Sequence, residues 1–190
     1  MTRYCIAALA VLAFATTASG QPLASSGFPG DRGRPGDGLP MTGPPPGPPP
    51  VDQVAASVPI KVAIQLGKAA EAACHGYKIG VAIIDAAGLP KLSYVADGAS
   101  GGHAYTAFRK AYTALTFKMP TSQVGSLTKT DPGVAARVKA DSNLLTFAGG
   151  MPLIVGDQII GAIGVSGAEP SAKDEECGLA GINKIKDRLK

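Results

Sequence analysis

The chain has 190 residues, 45% of them hydrophobic and 17% charged, with a formal net charge of +4. No Lys/Arg cluster interleaved with aromatics occurs, so nucleic-acid binding is not suggested. Two histidines, and cysteines outside any Cys-x-x-Cys pair, argue against a zinc site.

Residues 1–20 read as a secretory signal. Arg3 supplies the positive region, Ile6 to Ala15 is an apolar run too short to span a bilayer, and Ala18-Ser19-Gly20 is a small-residue cleavage site. The expectation is an exported protein, periplasmic or extracellular, starting at Gln21. Residues 21–50 hold ten Pro and seven Gly. Such a segment cannot bury enough apolar surface to offset its ordering entropy, so it is expected to be a disordered linker. Residues 51–190 remain as one domain, near the usual size for a single core. Removing Arg3 lowers the net charge by one, and Asp31, Arg32, Arg34 and Asp37 cancel.

Helical periodicity runs over 60–74, with Ile60, Ala63, Ile64, Gly67, Ala70 and Cys74 on one face and His75-Gly76 as a stop. Ile79–Asp85 and Leu89–Ala96 read as a hairpin about the turn Ala86-Ala87-Gly88, with Asp85 as a turn-forming aspartate. After a loop at 97–102, a second helix is predicted from His103 to Lys118, its buried stripe Ala104, Ala107, Phe108, Ala111 and Leu115, ended by Pro120. Asp97 reads as another turn former or a support for that helix's N-terminus. Asp131-Pro132-Gly133 opens a short helix over 133–141. Leu144–Phe147, Met151–Val155 and Gln158–Val165 read as strands, with Gly156-Asp157 as a tight turn. A last helix runs from Ser171 to about Leu189, with Ser171 and Asp174 as a capping-box-like pair. This order predicts a five-stranded antiparallel sheet with helices on both faces.

Several stretches resemble the GlcG/HbpS family, often labelled haem-degrading or haem-binding. They are Val81–Gly88, Asp97-Gly98-Ala99, Lys110–Ala114, Phe117, Pro120-Thr121, Gly149–Val155, Gly156–Gly167, Lys173-Asp174-Glu175 and Ala180-Gly181. They cover roughly residues 58–189 in the family's order. The resemblance implies a profilin-like three-layer α/β/α sandwich and assembly as a homo-oligomer. It also implies a haem or other small-molecule ligand, held for sequestration, sensing or slow degradation. A binding protein fits this better than a true enzyme, and no catalytic residue is nominated.

Candidate chemistry centres on the second helix. At about 100° per residue, His103, Thr106, Lys110, Thr113 and Phe117 share an arc of roughly 80°. They offer an axial donor, a cation for propionates, hydroxyls and an aromatic wall, the parts a haem requires. A solvated face or a subunit contact explains the same stripe. The resemblance suggests Thr113 for haem contact. His75 reads as a cap of helix carbonyls. Asp174, Glu175 and Glu176 read as helix-dipole stabilisation or an iron-attracting face. Gly161, Gly164 and Gly167 match neither a dinucleotide nor a P-loop pattern and suit close backbone packing. Two further readings stay open: a small carboxylate held by backbone amides near Gly149-Gly150 and the Gly-rich turn, as the glycolate branch of the family implies, and an oligomeric structural module. Cys74 and Cys177 are either a disulfide, if the first and last helices pack antiparallel, or two buried thiols.

Overall fold

The computed structural model describes residues 57–189; the signal-like segment 1–20 and the Pro/Gly-rich segment 21–50 lie outside it. The elements in chain order are α1 (Ile60–Ala73), β1 (Gly80–Asp85), β2 (Pro90–Val95), α2 (Gly102–Phe117), α3 (Thr121–Leu127), α4 (Pro132–Ala140), β3 (Gly150–Val155), β4 (Gln158–Ser166) and α5 (Ala172–Ile185), then a 3-10 turn at Lys186–Arg188.

The four strands form one antiparallel sheet in the order β2-β1-β4-β3. Local chemistry closes both hairpins. The Asp85 carboxylate accepts from the amides of Ala87 and Leu89, each at 2.9 Å, and Gly88 takes φ +81° as the turn requires. Val155 pairs with Gln158, leaving Gly156-Asp157 as a two-residue turn with Gly156 at φ +56°.

The register sorts the strand residues onto two unlike faces. Val81, Ile83, Ile163, Val165, Met151 and Leu153 face α1 and α5 and form the larger apolar core with Leu66, Ala70 and Ile185. The other face is lined by small residues. Ala82 lies opposite Gly164 and Ile84 opposite Ala162, and Gly80 and Gly150 continue the row. Helix α2 lies directly on this face. A Cβ at Gly164 would collide with the Ala107 carbonyl, one at Gly80 with the His103 backbone, and one at Gly150 with the Lys110 carbonyl. The glycines of the C-terminal motif thus make room for a helix.

Helices α1 and α5 pack antiparallel. Gly181 sits against Ala70, and Cys74 is joined to Cys177 by a disulfide with a Cα–Cα distance of 5.2 Å. Ile60 and Ile64, predicted on the buried face of α1, are 48% and 40% exposed, because that face centres on Ala63, Leu66 and Ala70. Among the described residues, no helix is long and apolar enough to cross a membrane.

Three expectations fail locally. The sheet has four strands, because Leu144–Phe147 is a loop. Backbone groups at its start and just before it bond to α2: Arg109 donates to the carbonyls of Ser142, Asn143 and Leu144, and the Leu145 amide donates to Thr113 Oγ1 at 2.7 Å. Helix α3 was not predicted; Pro120 ends α2 and also serves as the N-cap of α3, its carbonyl accepting from Gln123 and Val124. Ser171 makes no capping hydrogen bond to α5. The Asp174 carboxylate instead accepts from the Ala168 amide at 2.8 Å, holding the loop ahead of the helix.

Candidate functional site

Helix α2 was expected to present five residues on one outward stripe. It is more deeply embedded than its periodicity indicates, so that stripe is not one surface. Lys110 is 2% exposed. Its ammonium lies 2.7 Å from Asp174 Oδ2 and donates to the Val165 carbonyl at 3.1 Å. Thr113 is fully buried; its hydroxyl donates to the Arg109 carbonyl and accepts from Leu145. Thr106 turns its hydroxyl back onto the Gly102 carbonyl at 2.8 Å. His103 is half-buried in the first turn, with its ring beside Gly167. Phe117 lies under the Arg137 guanidinium, 4.9 Å from ring centroid to Cζ.

The Lys110–Asp174 pair ties α2 to α5 across the end of β4. Burial pushes the Lys110 ammonium below its usual pKa, and the hydrogen bond and charge of Asp174 only partly oppose this. Burial likewise pushes Asp174 above the usual carboxylate range, against the pull of Lys110 and the backbone donors. The neighbouring acids are engaged separately. Glu175 accepts from Ser122 Oγ at 2.7 Å and from the Gly149 amide at 3.4 Å, and Glu176 pairs with Lys173 on the surface. The three acids therefore meet three different partners instead of converging. The Gly150 amide donates to Thr121 Oγ1 at 2.9 Å. The Gly149 and Gly150 amides, two of those through which a small carboxylate was expected to be held, thus already have acceptors. Asp97 makes no side-chain hydrogen bond among the described residues, and His75 is exposed beyond α1.

The opposite side of α2 borders a cleft of about 340 Å³, between α2, α4 and the β1–β2 turn. Ala86, Ala87 and Leu115 supply apolar wall; Tyr112, Thr116, Arg137 and Asp141 bring polar groups to it. Arg137 forms no ion pair among the described residues, and its guanidinium carbon lies over the Phe117 ring, a contact that leaves its charge unneutralised. Asp141 is oriented by the amide and side chain of Asn143, at 2.9 and 3.0 Å. Tyr112 is 8% exposed. Burial raises its phenol above the ordinary pKa, and the Asp141 carboxylate adds to this, while Thr116 and Arg137 pull it down.

Sequence reasoning missed Tyr112, Arg137 and Asp141. Tyr112 sat between motif residues, and the other two lie in the region that carried no periodic signal. An aromatic flanking the buried alanines, about 120° around the helix from their centre, was the available clue.

Known proteins share this arrangement of elements. The Klebsiella pneumoniae protein ORFY superposes with a TM-score of 0.65 at 21% identity, covering 72% of this chain and 96% of its own. A double mutant of HbpS from Streptomyces reticuli gives 0.64 at 27% identity, covering 74% and 99%. A PduOC:heme complex gives 0.62 at 24% identity, covering 68% and 95%. No curated protein sequence matches. The family model for haem degrading protein HbpS-like matches residues 58–183, nearly the whole described domain, and the chain belongs to the HbpS-like family.

Proposed function

We propose that the chain is an exported haem-binding protein that acts as a homo-oligomer, sequestering or sensing haem or degrading it slowly. Membership of the HbpS-like family carries this reading. One of the similar structures, that of PduOC, is a haem complex. Export is supported by the signal-like residues 1–20 and by the Cys74–Cys177 disulfide, which suits an oxidising compartment. Assembly is supported by large apolar side chains left at the surface, among them Phe147, Ile154 and Leu179, each more than half exposed.

The α2–α4 cleft fits part of a tetrapyrrole. It combines an apolar wall with the Arg137 guanidinium, which forms no ion pair among the described residues, for a propionate. Its volume is at the low end for small-molecule sites, so it would enclose one edge of the ring system. Bound there, haem would supply a redox-active iron; the chain would supply the wall and the cation. Lys110 and Thr113, whose polar atoms are engaged inside the domain, would support the site by holding α2, and His103 and Thr106 lie toward the other end of the helix.

Haemin titration of the purified chain tests the reading. Expected is a saturable Soret band, distinct from free haemin, with about one haem per chain. An unchanged free-haemin spectrum at all ratios, together with thermal stabilisation by glycolate or glyoxylate, would replace haem with a small carboxylate.

A further inference from the structure

Arg137 and Asp141 stand four residues apart at the end of α4, the spacing at which opposite charges on a helix usually pair. Here neither forms an ion pair among the described residues, with the other or elsewhere. Asp141 leaves the helix as its C-cap, with extended backbone at φ −116° and ψ 106°, and its Oδ1 accepts from the amide and the side chain of Asn143. The Arg137 guanidinium lies over Phe117 instead. The two charges are thus held apart, yet both line the cleft of about 340 Å³, beside Ala86, Ala87 and Leu115. The core does not dictate this arrangement, since no residue of α4 is buried.

We propose that this cleft binds a free α-amino acid with a short apolar side chain. The ligand's carboxylate pairs with Arg137, whose planar guanidinium suits a two-point contact. Its ammonium meets Asp141; both Asn143 donors go to Oδ1, which leaves Oδ2 for the ligand. Its side chain lies against Ala86, Ala87 and Leu115, and the small volume limits its size. A carboxylic acid alone would bring like charge towards Asp141, and an amine alone would bring it towards Arg137, so the cleft selects a ligand that carries both charges. This site goes beyond haem: a propionate and the amino acid would use the same guanidinium, so the two would exclude each other there.

Calorimetric titration of the haem-free full chain with L-leucine tests this, beside isocaproate, which lacks the amine, and isoamylamine, which lacks the carboxylate. Leucine should bind saturably, and each analogue about tenfold or more weakly, having lost one charge-assisted contact. Arg137→Gln should weaken leucine and isocaproate without weakening isoamylamine. Asp141→Asn keeps an oxygen for the Asn143 donors, and should weaken leucine and isoamylamine without weakening isocaproate. Loss of fold does not produce this crossed pattern, and should one variant not fold, the other variant and the two analogues decide. No saturable binding up to the solubility of leucine, analogues that bind as well as leucine, or a folded variant that weakens both analogues alike overturns the proposal. Haemin enters none of these titrations, so the outcome is separate from that of haem binding.

Discussion

Lys110 and Asp174 show what a buried ion pair does in this domain. Each is 2% exposed, and for each the loss of hydration outweighs the attraction of its partner. Removing one partner strands the other charge, so Lys110→Met or Asp174→Leu alone should cost about 3–5 kcal/mol in denaturant unfolding. Replacing both with apolar residues should cost far less or be neutral, and a double-mutant cycle measures the difference. The pH dependence follows from the same shifts. Asp174 has a raised pKa when folded, so the folded state binds the extra proton. Its contribution is greatest below the ordinary carboxylate value and falls as pH rises through the raised one. Lys110 has a lowered pKa when folded. Its contribution therefore rises with pH from that lowered value up to the usual lysine range. Both slopes should vanish in the double variant, as urea titrations across pH would show. Sequence spacing placed Lys110 with Thr113 on one stripe, but it could not say that the stripe faces inward. That depends on the partner Asp174, 64 residues away.

At the scale of elements, most of the architecture was legible and the exceptions share a cause. Strands β1, β3 and β4 and helices α1, α2 and α5 carry long periodic signals, and their types emerge as read. The Leu144–Phe147 run has strand composition, but its hydrogen bonds go to Arg109 and Thr113 of α2. A short apolar run does not disclose whether a ladder or side chains will satisfy its backbone. Helix α3 is short and rich in Ser, Thr and Gly, and Pro120 conceals it by reading as a terminator. The glycines of β4 were legible as close-packing positions, though not as the seat of α2. Gly164→Ala tests that role. Its new methyl would meet the Ala107 carbonyl and force α2 off the sheet, so a loss of about 1–3 kcal/mol or more is expected in chemical unfolding. Gly156→Ala in the exposed β3–β4 turn meets open space and should cost less, about 1 kcal/mol, from its positive φ alone. Equal losses at the two positions would remove the close-approach argument.

For the molecule as a whole, the disulfide couples the two ends of the described domain. Cys74 closes α1 and Cys177 lies in the second turn of α5, 103 residues later. Helical periodicity alone set Cys177 on the flank of its buried face, which argued for two separate buried thiols over a bond. The antiparallel packing of α1 and α5, with Gly181 against Ala70, brings the α-carbons within bonding range. A cross-link spanning most of the folded chain removes much of the freedom of the unfolded state, about 4 kcal/mol in the chain-entropy model. The sheet, α2 and the buried ion pair do not depend on it, so the reduced domain should still fold, with a melting temperature lower by on the order of 10 °C. Thermal melts with and without reductant, alongside a Cys74→Ala/Cys177→Ala variant, measure this. The variant should melt with the reduced parent and be indifferent to reductant. Two alkylatable thiols in the unreduced, denatured parent, or the same melting temperature in both redox states, would remove the bond from the account of stability and, with it, one of the two supports for export.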